Sequence, residues 1–202
     1  APHFIYLPEV AFDQDVFLKD LEKSFEKNCN LIVCVSEGIH DADGTFICEY
    51  DSSVGTDTFG HKMLAGCGKY LENLVRSRLG VKARSVELNV SQRCSASLIS
   101  ATDQKEAITA GKFGVQAALN GETGKMVSFI RQTDSEGNYQ MVCGLEDVNA
   151  ICNEEKTVPV EWITPDGHDV TEDFIRYARP LIQGNIEVPL GEDGLPKFVY
   201  RK

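Results

Sequence analysis

Between Lys82 and Arg93, in KARSVELNVSQR, apolar Val86, Leu88 and Val90 alternate with Ser85, Glu87 and Asn89. Period two with β-branched residues predicts a strand, and the polar SQR-CSAS that follows ends it. Open α/β sheets bind ligands beyond the carboxyl ends of their strands, so the basic residues flanking this one, Arg84 and Arg93, are the first candidates for anion contacts. Upstream, Phe4–Leu7 is a short apolar run closed by Pro8 and Glu9. Asp13 can cap a helix whose stripe is Phe17, Leu21 and Phe25. Leu31–Val35 is apolar without a break, as in a parallel strand covered on both faces, and it ends at Ser36-Glu37-Gly38. Asp41–Asp57 is polar and acidic, a loop or a hairpin excursion.

Thr58–Leu79 carries Phe59, Met63, Leu64, Cys67, Leu71, Leu74 and Val75 at helical spacing and stops at Gly80. After the organising strand, Asp103 with Glu106 gives a capping-box-like start to a helix that runs to Asn120, with Gly121 beyond it. Lys125–Ile130 is a further strand, Asp134–Asn138 a turn, and Tyr139–Cys143 its hairpin partner. Glu154–Asp169 is irregular, with Pro159 and Pro165. Thr171 caps a last helix to about Gln183, Gly184 ends it, and residues 186–202 form an extended tail. Strands alternating with helices predict an α/β fold: a three-layer, Rossmann-like α/β sandwich with a mainly parallel sheet and a C-terminal hairpin. With no linker or internal repeat, residues 1–202 are expected to form a single domain.

Composition narrows the partners more than the fold. The 202 residues are 42% hydrophobic and 25% charged, ordinary for a globular chain, and no apolar run approaches the roughly 20 residues of a membrane span. A net charge of −11 argues against nucleic acid and anionic membrane surfaces as partners. It also repels phosphorylated ligands at long range, so binding one requires a local group of Arg or Lys. Seven cysteines, an odd number without a CxxC pair, read as reduced thiols in the cytoplasm, where the Asn89-Val90-Ser91 sequon has no role. His3, His40, His61 and His168 have no metal-ligand spacing. Gly66-Cys67-Gly68 lies inside a helix pattern, and GETGK at 121–125 follows a helix and precedes a strand, the reverse of a phosphate loop.

An arginine, a strand and then xxQR at the strand's end resembles the fructose-6-phosphate-binding segment of the phosphofructokinases. ELNVSQRCSAS followed by SATDQKEAITAGKFGVQAALNGETGKMV looks most like their pyrophosphate-dependent branch. IYLPEV at 5–10, IVCVSEGI at 32–39, NEEKTVPVEWI and DFIRYARPLIQG extend the likeness over most of Phe4–Asn185. The resemblance implies the C-terminal half of a longer, homo-oligomeric enzyme. That enzyme would transfer a phosphoryl group from pyrophosphate or ATP to the 1-hydroxyl of fructose 6-phosphate in glycolysis. The donor loop, the catalytic aspartate and the Mg²⁺ site would precede this part, so no catalytic or metal-binding residue is assigned here and the piece alone is expected to be inactive. The chain begins at Ala1 without a methionine; tagging, processing or truncation would each explain that, and the resemblance favours truncation.

Three substrate-binding candidates follow. Glu9, in LPE, matches the family's glutamate that holds sugar hydroxyls; by itself it reads as a neighbour of a helix cap. Arg93 matches the arginine of xxQR, whose guanidinium can fork onto a phosphate; by itself it reads as a surface or capping arginine. Arg84 lies nine positions earlier, and an extended strand would put roughly 20 Å between its ends. Two copies of a small ligand would then be needed, which fits the family's use of one arginine in its own subunit's site and one in a neighbour's. A solvated strand-end charge is the competing account of Arg84. The pattern departs at Val90, where most of the family has a His or Tyr that contacts the sugar, and at Cys94-Ser95, which replace a small, glycine-rich pair. Glu37 lies at a strand end without further support for a site role, and Tyr177 and Arg179 read as helix-surface packing. The rival to an enzyme is a non-catalytic α/β module that senses a phosphorylated metabolite.

Overall fold

The computed structural model describes residues 2–50 and 66–197. The predicted helix over residues 58–65 with His61, the end of the acidic excursion and the last five residues of the tail lie outside them. The sequence suggested one domain; the backbone divides into two compact units, residues 1–88 with 157–174 and residues 89–156 with 175–202.

The first unit is built on a parallel pair. Strand β1 (Phe4–Tyr6) lies beside β2 (Val33–Val35), with Phe4 opposite Val33 and Tyr6 opposite Val35. The five apolar residues predicted for the second strand shrink to three because β1 offers only three partners. On its other edge β1 is held by the 157–174 segment, where the Ile5 amide donates to the His168 carbonyl at 2.8 Å. Helix α1 (Gln14–Phe25) makes the crossover that parallel pairing requires. Asp13 caps it as expected, its Oδ1 accepting from the Asp15 and Val16 amides at 2.8 and 2.9 Å. Phe17, Leu18 and Leu21 of α1 are buried with Phe4, Phe12, Ile39 and Ile47, and the Tyr6, Phe12 and Phe17 rings meet at centroid distances of 5.1–5.6 Å. The stretch read as a polar excursion therefore reaches the core: Asp41 folds its start by accepting from the Asp43 and Thr45 amides and the Tyr50 hydroxyl, and Ile47 and Cys48 are buried. Helix α2 (Cys67–Leu79) adds Cys67, Leu71 and Val75 and ends at Gly80, whose φ of 66° is the left-handed cap read from the sequence.

The predicted organising strand does not form among the described residues. Val81 and Ala83 pack on the core, but Val86, Leu88 and Val90 are 81%, 58% and 65% exposed. A strand needs a ladder partner as well as an alternating pattern, and this segment is instead pinned to α2 through Ser85. Asn89 then takes a φ of 35°, and Ser91–Cys94 turns into the short helix α3.

In the second unit, helix α4 (Ala101–Leu119) is capped by Ser100, whose Oγ accepts from the Asp103 amide at 3.0 Å and donates to the Leu181 carbonyl at 2.6 Å. The helix thus begins two residues before Asp103, which becomes a first-turn acid beside the positive end of the dipole. It packs on a hairpin of β3 (Lys125–Thr133) and β4 (Tyr139–Asp147). Asp134 sets the turn by accepting from the Glu136 and Asn138 amides at 2.9 and 2.8 Å. Both strands are longer than the apolar runs that announced them, since backbone pairing continues through Arg131, Gln132 and Thr133 on β3 and through Gly144, Leu145, Glu146 and Asp147 on β4. Asp147 caps α5 (Val148–Ile151), an element the sequence pattern did not announce. The last helix, α6 (Glu172–Ala178), of which Ile175–Ala178 belong to this unit, gives way to a 3₁₀ turn over Arg179–Ile182, where Pro180 supplies no amide hydrogen. No side chain of the second unit's described residues is buried. The fold class is α/β, with the parallel pair and later hairpin that the sequence implied. No helix among the described residues is long and apolar enough to cross a membrane.

Candidate functional site

Glu9 sits in the turn that ends β1, in the first unit. Its Oε1 accepts the Val158 amide at 2.7 Å, which ties the turn to the 157–174 segment. Its Oε2 is buried and has no hydrogen-bond partner among the described residues. A carboxylate oxygen accepts only, and leaving one dry and unmatched is costly. Such an oxygen suits a donor brought by a ligand, such as a hydroxyl.

Arg84 also belongs to the first unit. With Arg76, Lys82 and Glu72 it lines a cavity of about 500 Å³ at the C-terminal end of α2. The Glu72 side chain is only 9% exposed, and both its oxygens are used. Oε1 takes Lys69 Nζ at 2.8 Å and Arg76 Nη1 at 3.4 Å; Oε2 takes the Ser85 amide at 2.9 Å and its hydroxyl at 2.8 Å. The Lys69 ammonium and then the Ser85 donors hold the Glu72 carboxyl down at about 2. Lys82 and Arg84 have no ion-pair partner among the described residues.

Arg93 is exposed on α3 and belongs to the second unit, so the two arginines stand on different units of the backbone. Val90 is the residue before α3, with helical backbone angles, so the extended geometry from which the 20 Å separation was reckoned is absent.

The sequence reading passed over a second feature. Arg131 on β3 is held between two rings, 4.5 Å from the Tyr139 centroid and 4.7 Å from that of Tyr177, and its Nη1 donates to the Tyr177 carbonyl at 3.0 Å. These groups line a cavity of about 180 Å³ with Asp103 and Glu106. Burial first, and then a hydrogen bond to Glu106, push the Tyr139 phenol up to about 12. Hairpin register made Arg131 and Tyr139 diagonal neighbours and was readable; nothing in the sequence brings Tyr177 to them. Tyr177 accordingly does pack, as read, though against a cation. GETGK forms the turn from α4 into β3, with Gly121 and Gly124 at positive φ. No three His, Cys, Asp or Glu side chains among the described residues converge as a metal site.

No family model matches the sequence. Individual proteins do. The chain is 37% identical over 202 residues, its whole length, to the pyrophosphate–fructose 6-phosphate 1-phosphotransferase of Xanthomonas campestris pv. campestris (strain B100), covering 47% of that protein. It is 35% identical over 195 residues to the protein of the same name from Methylococcus capsulatus (strain Bath), covering 96% of this chain and 45% of the relative. The crystal structure of a pyrophosphate-dependent phosphofructokinase from Nitrosospira multiformis superposes with a TM-score of 0.78 at 29% identity, over 98% of this chain and 45% of that one. The chain spans about half the length of the curated relatives it matches. In sequence and in fold, this chain belongs with the C-terminal halves of the phosphofructokinases, and it is most like the pyrophosphate-dependent branch of that family.

Proposed function

We propose that this chain is the sugar-phosphate-binding half of an enzyme that phosphorylates the 1-hydroxyl of fructose 6-phosphate with pyrophosphate. The observation that carries the reading is Glu9: one carboxylate oxygen is spent on the Val158 amide, and the other is buried and open to a donor. A sugar hydroxyl supplies that donor, and the bond fixes how the sugar lies. Arg93 and Arg84 contribute guanidiniums, which grip a phosphate in two-pronged fashion and stay charged at any working pH. They supply local positive charge in a chain whose net charge is −11.

In the reaction, the 1-hydroxyl oxygen attacks a phosphorus of pyrophosphate, the bond to the bridging oxygen breaks, and orthophosphate leaves. The hydroxyl proton passes to a base. Catalysis of such a transfer is mostly positioning and charge stabilisation, and this chain's share is to hold the acceptor. Donor binding and the base are assigned to the other half of the enzyme. Mg²⁺ would serve the transferring phosphates, but no three His, Cys, Asp or Glu side chains among the described residues converge to hold it. The reading assigns the enzyme to the cytoplasm and to a homo-oligomer in which Arg84 serves a neighbour's site. The non-catalytic sensor is the weaker account, because the full-length relatives named above are called phosphotransferases.

The test is an assay of the full-length protein with fructose 6-phosphate, Mg²⁺ and either pyrophosphate or ATP. Formation of fructose 1,6-bisphosphate with pyrophosphate is expected. Tight binding of the sugar phosphate with no turnover on either donor would favour the sensor and overturn the enzyme reading.

A further inference from the structure

We infer that the cavity beside Arg131 binds a small zwitterion, an aliphatic α-amino acid, whose carboxylate meets Arg131 and whose ammonium meets Asp103 and Glu106. The site lies wholly within the second unit and is independent of the sugar-phosphate reading given above.

The cation is fixed before any ligand arrives. Strand β3 presents Arg131, whose guanidinium rests against the Tyr139 and Tyr177 rings and spends one N–H on the Tyr177 carbonyl. Rings cover the faces of a guanidinium and leave its edges, where the remaining N–H groups can meet an acceptor lying in the plane. The carboxylates come from α4. Residues three apart share a helix face, so Asp103 and Glu106 line the cavity together. Neither reaches ion-pair distance of Arg131. The positive end of the α4 dipole accounts for Asp103 in the first turn. It does not account for Glu106, which lies a turn further on. Tyr139 donates to Glu106, and this occupies one of the roughly four lone-pair sites of that carboxylate.

Opposite charges that line one cavity without touching select for a ligand that carries both. A free anion meets two carboxylates beside the guanidinium, and a free cation meets the guanidinium beside the carboxylates. A zwitterion pairs every charge at once, so the cavity rejects what it does not match. Size and walls narrow the class further. The volume of about 180 Å³ is below that of sites for drug-sized ligands. Phe129, which is 58% exposed, and Leu181 offer an apolar wall for a short aliphatic side chain.

The test is ligand-observed saturation-transfer NMR, with titration, on the full-length protein at neutral pH. The probes are L-valine, L-valinamide, which lacks the carboxylate, and N-acetyl-L-valine, which lacks the ammonium. Valine is expected to bind with a Kd of about 1 mM, and each analogue about tenfold or more weakly. Arg131→Gln and Glu106→Gln should each weaken valine binding by about tenfold. Far-ultraviolet dichroism shows which variants are folded. Arg131 also ties β3 to Tyr177, so if Arg131→Gln does not fold, Glu106→Gln decides. The site is overturned if valine does not bind, if either analogue binds as tightly as valine, or if folded Glu106→Gln binds valine undiminished.

Discussion

Glu9 tethers Val158 with one oxygen, and the proposed function gives its other, buried oxygen to a sugar hydroxyl. Glu9→Ala removes both, whereas Glu9→Gln keeps an acceptor for Val158 but puts an amide NH2, a donor, in place of the second oxygen. Hydrogen bonds to a charged group are worth about 1.5–3 kcal/mol. Glu9→Ala in the full-length enzyme should therefore raise KM for fructose 6-phosphate roughly ten- to a hundredfold, with the pyrophosphate constant unmoved. An unchanged sugar constant would leave Glu9 as a tether only. Glu72 makes a prediction of its own. Its carboxyl titrates at about 2 in the folded chain against 4.5 ordinarily. A depressed folded value stabilises above the unfolded one and is lost as pH falls through the folded one. Denaturant unfolding should show the wild type more stable than Glu72→Gln above pH 4.5, with the gap closing toward pH 2. A gap that does not change with pH would mean that Glu72 acts by shape alone. The LPE motif singled out Glu9 as a candidate, but nothing in the sequence announced its bond to a residue 149 positions away.

Elements were legible where their chemistry is local. The Asp13 cap and the Asp134–Asn138 turn form as read because each depends on one side chain and amides within four residues, and the Gly80 stop because glycine takes a positive φ without steric cost. The stretch over 82–90 failed as a strand for the opposite reason. Alternation is written in the segment itself, but a ladder is supplied by another segment, and the described residues supply none. Ser100 lies between these cases. It caps α4 locally and also ties the cap to the Leu181 carbonyl, 81 positions on. Ser100→Ala should thus cost about 0.5–2 kcal/mol, toward the upper end because two bonds are lost. Urea unfolding followed by far-ultraviolet dichroism would measure it. A loss near zero would mean that another group caps the helix.

Across the whole molecule, the candidates divide between the two units: Glu9 and Arg84 on the first, Arg93 on the second. The assignment of Arg84 to a neighbouring subunit's site now rests on the family resemblance alone, since the strand geometry that also suggested it is absent. Subunit mixing tests it. Full-length enzyme carrying Arg84→Ala, combined with enzyme carrying Arg93→Ala under conditions of proven exchange, should regain part of its tight-binding activity, because a mixed pair leaves one site intact. No recovery would place both arginines in one subunit's site. The two units differ in another respect: the buried side chains all belong to the first, and the second buries none among its described residues. The heat capacity gained on unfolding measures apolar surface newly hydrated, and ordinary globular chains gain about 12–15 cal/mol/K per residue, or about 2.4–3.0 kcal/mol/K for a chain of 202. Scanning calorimetry of this chain alone should fall well short of that, with a shallow stability curve. When the rest of the enzyme is present, the increment per residue should climb to the ordinary value, as the half-dry second unit comes to behave as a core.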